Sequence, residues 1–599
     1  MAIFETEAFE MKSNLKKLQT LMKEQKITYY LIPSEDPHQS EYVDDHFKCR
    51  QYISGFTGSA GTLLVSHTDC WLWTDGRYFT QAEEQIAPYD IHLMKQGVDG
   101  VPTILDFLKE SLTSEDTLGL NGLTISADFG KQLNTISKKN KWKFHSDLHL
   151  VEEIWEDRPS IKKSPIYEHD IQYSGEDISS KIQKVRKLLQ ENNADAFFLS
   201  SLSDIAWLFN LRGDDIACTP LFYSYAWISQ KNCYLFVRKN CISATVFQRL
   251  KKQHIIICEY SEVSSFLSRQ HTAVLLDPNY VSYFHYRLLF KCKIISKNNP
   301  TELLKAVKND IQISNLKQCH IYDGVAMTKF MYWLKTNIGK IPMSELSVSK
   351  QLEEERKKQP DYTGPSFETI CAYKEHAAMM HYQADENSDA ELKPEGMLLI
   401  DSGGQYYGGT TDVTRTFLLG PVTEEERTNF TLVCKSMLLL ADAKFLAGCR
   451  GSNLDILARE PLWEAGLDYR CGTGHGVGYY LGVHEGPNAF RWRTNPKQMD
   501  AVLAPGMVTT DEPGVYVPGK YGIRTENMLL CKKQHQNEYG AFLEFEPLTL
   551  VPIDMDGIDL TLFSQKEKRL LSNYQKLVFD TISPYLTQEE SNWLKQQLC

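Results

Sequence analysis

Apolar positions in the first half of this chain follow two rhythms, and those rhythms come round twice in the same order. The stretch SNLKKLQTLMKEQ spaces its apolar residues as an amphipathic helix and runs into the strand TYYLIPS; QYISGF, GTLLVS and CWLWTDGRYF follow as strand text broken by glycine. Further on, KIQKVRKLLQENN, DAFFLSS, IAWLFNLRG, LFYSYAWIS and NCYLFV repeat helix, strand, a glycine after an apolar run, and a strand pair. The shared order predicts two copies of one α/β unit. The polar segment WEDRPSIKKSPIYEHD, with two prolines, marks the break between them.

A second break follows KIISKNNP. Beyond it Ile313, Leu316, Ile321, Val325, Met327, Phe330, Met331 and Leu334 recur at helical spacing and predict a long helix. After EPLTLVP a tail from about Ile553 to Cys599 predicts two helices, SQKEKRLLSNYQKLVF being the clearer. The chain therefore divides into segments 1–156, 157–300, 301–552 and 553–599, with an overall α/β (α+β) class.

Length and composition agree with several soluble domains. At 599 residues the chain exceeds one ordinary core, and 42% apolar with 24% charged residues is globular usage. A formal charge of −12 with no basic stripe argues against a nucleic-acid partner. Glu5, Glu7 and Glu10 interrupt the N-terminus too early for a secretory signal, and no apolar run reaches transmembrane length, so no membrane association is expected. The 14 cysteines are scattered without paired spacing, as in reduced thiols. A cytoplasmic location is the expectation.

The chemistry lies in the second half, in four short segments rich in glycine and small residues: LLIDSGGQYYGGTTDVTRT, GTGHGVGYYLGVHEGP, VTTDEPGVYVPG and YGIRTEN. They carry Asp401, Asp412, His475, Glu512 and Glu526. Taken singly, an Asp or Glu in a turn is most often solvated or caps a helix. Four carboxylates and one imidazole buried together, however, need cations between them. Mostly hard oxygen donors with a single nitrogen suit manganese or magnesium. Asp401 ends an apolar strand before Gly403 and Gly404, as in a tight hairpin, and Asp412 lies on the returning strand, so both carboxylates can share a face. Arg524, two positions before Glu526, shares its strand face and is placed to orient it.

These segments resemble those of the pita-bread metallopeptidases, the fold of methionine aminopeptidase, prolidase, creatinase and aminopeptidase P. SEDPHQSEY, SGFTGSAGT, TDGRYF, IWEDRP and FEPLTLVPI extend the likeness over nearly the whole chain and make it most similar to the long, three-domain Xaa-Pro aminopeptidases. The resemblance implies two creatinase-like N-terminal domains, a pita-bread catalytic domain and a short helical tail. It implies two divalent ions, manganese as the usual metal. Asp401 would chelate one ion, Asp412 and Glu526 would bridge the pair, and His475 and Glu512 would complete the second. A water shared by the ions would attack the scissile carbonyl, with Glu512 accepting its proton. His475 and Glu512 would also line the substrate.

His381, in AMMHY, and His484, in GVHEGP, match histidines that flank the substrate and help proton transfer to the leaving proline nitrogen. Before His381 the stretch CAYKEHAAMMHYQA replaces glycine- and proline-containing text, and the extra length between His475 and Glu512 falls in FRWRTNPKQ. Arg77, in TDGRYF, matches an arginine near the substrate's distal end; an ordinary pairing with Asp75 is the plainer reading. The implied substrates are peptides with proline second, and the implied assembly is a homodimer. A prolidase would share the cage. A methionine aminopeptidase lacks the leading domains, and a non-catalytic pita-bread binding protein loses cage residues.

Overall fold

The computed structural model describes residues 2–493 and 499–598. Residues 494–498, within the FRWRTNPKQ segment, lie outside them. The chain forms two compact units, one of residues 1–168 with 176–301 and the other of residues 169–175 with 302–599.

The first unit contains two six-stranded sheets with one topology. Numbered in chain order within each sheet, the strands lie side by side as 4-3-2-1-5-6 in both. In each sheet the first strand pairs antiparallel with the second and parallel with the fifth, and the outer pairs, third with fourth and fifth with sixth, are parallel. The repeated hydrophobic rhythm thus corresponds to a repeated sheet.

Alternation within strands explains why each sheet is covered on both faces. In the first, Tyr30, Ile32, Leu63, Val65 and Leu72 meet Leu18 and Met22 of the Ala2–Glu24 helix. Leu31, Leu64, Trp73, Leu118 and Leu120 point the other way, onto Leu108 and Leu133. The SEDPHQSEY loop ties the two copies together. Asp36 accepts the backbone N–H groups of His38 and Ser40, and the His38 ring meets the Ser200 carbonyl and the Tyr260 hydroxyl, each at 2.8 Å.

The second unit contains the long helix Asp310–Asn337, capped by Asn309 and Gln312 in a reciprocal capping box. The predicted helical stretch, LLKAVKND through LKTNIG, is broken: Pro300–Ala306 forms a helix of its own, and the long helix starts only after Asn309, whose side chain caps it. Two antiparallel sheets carry the site. One holds Ile370–Tyr373, Met397–Ser402 and Val413–Leu418, with Met397–Ser402 in the middle. The other contains Val508–Asp511 paired with Asn527–Asn537.

The connection after Asp401 is not the tight hairpin expected. Between Ser402 and Val413 the chain makes two short strands, Gly404–Tyr406 and Gly409–Thr410, and the first pairs with Tyr362–Pro365. The paired strands on either side still hold their register, Asp401 opposite Thr414. The tail forms helices Gln565–Ile582 and Gln588–Gln596. Leu571, Val578 and Ile582 share a core with Val325, Phe430 and Val433. Among the described residues the cysteines form no disulfide, and no helix is long and apolar enough to cross a membrane.

Candidate metal centre

Asp401 stands near the end of the central strand, between Ile370 and Thr414 on its neighbours, and is buried. Asp412 immediately precedes Val413–Leu418. Glu526 occupies the single residue between Thr525 and the strand Asn527–Asn537. Its N–H donates to the Thr414 carbonyl at 3.1 Å, and its Oε2 accepts the Thr414 hydroxyl at 2.8 Å. Thr414 thereby links the strand that carries Asp412 to Glu526. Behind it, the buried Arg415 guanidinium donates to the carbonyls of Thr414, Glu526 and Val551 and to Asn527 Oδ1, so the backbone bearing Glu526 has little freedom.

His475 lies on the two-residue strand Gly474–His475, paired with Ala489–Phe490. The flanking glycines are needed for close approach. A Cβ at Gly474 would meet the Thr510 carbonyl at 1.8 Å, and one at Gly476 the Glu485 carbonyl at 2.1 Å. The His475 Nδ1 is 3.0 Å from the Gly476 carbonyl, which can only accept, so Nδ1 carries the proton. That leaves Nε2 with its lone pair toward the carboxylates, 3.5 Å from Asp412 Oδ2 and 3.3 Å from Glu512 Oε1. Glu512 is fixed by its own N–H on the Thr473 carbonyl at 2.7 Å and by the Thr510 hydroxyl on Oε1 at 3.2 Å.

Ligand atoms of Asp412, His475 and Glu526 lie within 4.8 Å of one another. Electrostatics ties in the rest. Burial first, then the charges of Asp401 and Glu512, holds the Asp412 carboxyl well above the usual range. Burial, then Asp412, Glu512 and Asp401, does the same to Glu526. Burial raises Glu512 to about 7 against the pull of Arg524, with Asp401 adding to the rise. One of the Asp401 oxygens, Oδ1, is buried and accepts no hydrogen bond from the described residues. A carboxylate oxygen left so, among three further carboxylates and the unprotonated nitrogen of His475, is a donor set that fits divalent cations.

Arg524 acts differently from its expected role. Its Nη2 is 2.6 Å from Asp401 Oδ2, its Nη1 donates to the Tyr516 hydroxyl at 2.6 Å, and its Nε donates to Thr414 Oγ1 at 3.1 Å. The arginine therefore grips Asp401 directly and reaches Glu526 only through Thr414. Sequence spacing suggested a neighbour on the same strand face, but the side chain crosses to the adjacent sheet.

The two other histidines stand on separate segments. The ring of His484 meets that of His475 edge-on, with centroids 4.3 Å apart. His381 follows Met380, whose carbonyl takes a second, longer bond of 3.4 Å from Arg524 Nη2. The altered stretch before it is held by Glu345, a fully buried residue that the sequence reading overlooked. Glu345 accepts the N–H groups of Tyr373 and Ala390 and the Tyr382 hydroxyl, and contacts His376 Nδ1 at 2.9 Å. Within that stretch Lys374 has φ 50°, a backbone that favours glycine. Arg77 lies in the first unit, where Asp75 binds it through two bonds of 2.9 and 2.8 Å and Glu41 stands at 3.5 Å.

Comparison with known proteins gives this geometry its relatives. Residues 14–153 and 157–312 each match the creatinase/prolidase N-terminal domain, residues 314–533 match metallopeptidase family M24, and residues 541–598 match the C-terminal region of that peptidase. Over 99% of its length the chain is 36% identical to a probable Xaa-Pro aminopeptidase P of Talaromyces marneffei, covering 93% of that protein. This chain belongs to metallopeptidase family M24. Within the family its full-length relatives include Xaa-Pro aminopeptidase 1 of Dictyostelium discoideum, 36% identical over 98% of this chain and 96% of that one. The structure of an X-prolyl aminopeptidase from Caenorhabditis elegans, described as a cytosolic enzyme with a di-nuclear active site, matches with a TM-score of 0.94 at 32% identity, over 98% of this chain and 99% of that one. The M24 fold, two creatinase-type domains ahead of a catalytic domain and a C-terminal region, is thus the fold of this protein.

Proposed function

We propose that this M24 metallopeptidase removes the N-terminal residue from peptides whose second residue is proline, using two divalent ions, manganese in the first instance. The observation that carries the reading is the convergence of Asp401, Asp412, His475, Glu512 and Glu526 in one buried site. Among the described residues the guanidinium paired with this set of four carboxylates and an imidazole is that of Arg524, on Asp401. Two divalent cations bring that excess of negative charge to within one unit of neutrality. Full-length likeness to proteins named Xaa-Pro aminopeptidase supports the choice of substrate.

Asp401 would hold one ion, Asp412 and Glu526 both, and His475 Nε2 with Glu512 the other. When bound, the ions supply Lewis acidity toward the scissile carbonyl and ionise water near neutral pH. The remaining steps fall to the protein. Glu512, whose carboxylate stands beside His475 Nε2, accepts a proton from the attacking water. The imide nitrogen of proline has no hydrogen and must gain one to leave. His484, packed on His475, supplies that proton, and His381 helps hold the substrate carbonyl.

Arg77, set by Asp75 and Glu41, serves the distal end of longer peptides, and the chain works as a homodimer in the cytoplasm. The segments 1–156, 157–300, 301–552 and 553–599 act as its structural parts. Steady-state cleavage of a Xaa-Pro-Pro tripeptide and of the matching Xaa-Pro dipeptide, with and without chelator, tests the reading. The tripeptide should be cut far faster, with activity lost on chelation and restored by Mn2+. Preference for the dipeptide would make the protein a prolidase, and activity that survives complete metal removal would refute the mechanism. Light scattering at the monomer mass of 68.7 kDa would refute the dimer.

A further inference from the structure

The loop that carries His475 and His484 is fastened from beneath by buried charge. Between His475 and His484 the chain closes on itself: Glu485 N–H donates to the Gly476 carbonyl at 2.8 Å, Gly478 N–H to Gly482 at 2.9 Å, and Gly476 N–H to Asn488 at 2.8 Å. Under this loop Glu302, Lys305, Lys308 and Glu485 are all buried. Lys305 Nζ stands 3.3 Å from Glu485 Oε2, and Lys308 Nζ 4.0 Å from Oε1. Neither carboxylate oxygen receives an aligned hydrogen bond from the described residues. Lys308 Nζ donates instead to the Val477 carbonyl at 2.8 Å. The Glu302 carboxyl lies against Gly486, where a Cβ would meet Oε1 at 2.6 Å.

Such a cluster is a poor source of stability. Desolvation costs several kcal/mol per ion, and well-packed apolar residues of similar volume often do as well or better. What it supplies is placement. Two ammonium groups on the segment entering the long helix grip a carboxylate one residue from His484 and a carbonyl two residues from His475. In a low-dielectric setting that pull is strong.

We propose that Glu485, gripped by Lys305 and Lys308, is a positioning residue that sets the His484 imidazole against His475 for proton transfer to the leaving nitrogen. This deepens the reading of His484 given above and rests on it. The test uses the full-length, Mn2+-loaded enzyme on a Xaa-Pro-Pro peptide, with kcat and KM read separately and metal content and thermal melting as checks on the fold. E485Q and K305M should each lower kcat about ten- to a hundredfold, with KM and metal content close to the parent. In an H484N background E485Q should cost nothing further, because its effect passes through that imidazole. Multiplying losses in the double variant, or full kcat in E485Q, would overturn the inference while leaving His484 in place. Full kcat in H484N would remove the role of His484 itself and this inference with it. Should E485Q not melt cooperatively, K305M in the same two backgrounds decides the matter by the same criterion.

Discussion

Replacing Glu526 by glutamine should move stability in opposite directions with and without metal. In the metal-free protein Glu526 is buried, and its ligand atom lies within 4.8 Å of those of Asp412 and His475. Two unit charges at that separation repel by about 3 kcal/mol at an effective dielectric constant of about 20. Burial, then Asp412, Glu512 and Asp401, raises the Glu526 pKa well above its ordinary value. A group so raised contributes stability while it is protonated and loses it as pH climbs through the folded-state value. Glutamine keeps an acceptor for the Thr414 hydroxyl and never acquires the charge. Metal-free E526Q should therefore be more stable than the parent by up to about 3 kcal/mol at pH 8, the gain vanishing by pH 5. With Mn2+ the sign reverses, because a carboxylate that both ions share is gone. A ten- to hundredfold loss of affinity corresponds to about 1.4–2.7 kcal/mol of lost metal-linked stabilisation. Calorimetric melting at pH 5 and 8, with chelator and with excess Mn2+, reads both. An E526Q protein equally destabilised in all four conditions would refute the electrostatic account of the cage.

Four further outcomes follow from the same geometry. Because Glu512 sits at about 7, with Asp412 and Glu526 also raised, cations must displace protons. Apparent Mn2+ affinity should rise from pH 6 to pH 8 with proton release in calorimetry, and a flat profile would contradict it. Against an ordinary glutamate value of 4.5, Glu512 alone should also cost the metal-free fold roughly 3 kcal/mol as pH rises through 7. H484N should retain both metals and lose about a hundred- to ten-thousandfold in kcat on tripeptides; unchanged kcat would exclude His484 from proton transfer. R524K preserves charge but cannot form the three-way contact with Asp401, Tyr516 and Thr414, so kcat/KM should fall about ten- to a hundredfold; parental activity would show that charge alone suffices.

What could be read from the sequence was local pattern. The repeated helix-strand rhythm translated into two sheets of one topology because apolar periodicity reports burial on a strand directly. The five cage residues stood out because glycine and threonine surround them, and the structure uses both: Gly474 and Gly476 for clearance, Thr414 and Thr510 as donors to Glu526 and Glu512. Contacts between distant segments were not legible. Arg524 finds Asp401 across 123 residues, and Glu345 finds His376 across 31. No spacing rule encodes such pairs, and spacing alone points Arg524 to its near neighbour Glu526. The excursion after Asp401 was hidden for a related reason. Two glycines in a row suggest a turn, but whether the chain returns at once depends on the strand Tyr362–Pro365, which pairs with it from elsewhere.

Anomalous diffraction from crystals of the Mn2+-loaded protein tests the central claim most directly. The account predicts two manganese peaks inside the cage, both contacted by Asp412 and Glu526, one also by Asp401 and the other by His475 Nε2 and Glu512. A single peak, or ions held by other side chains, would contradict it.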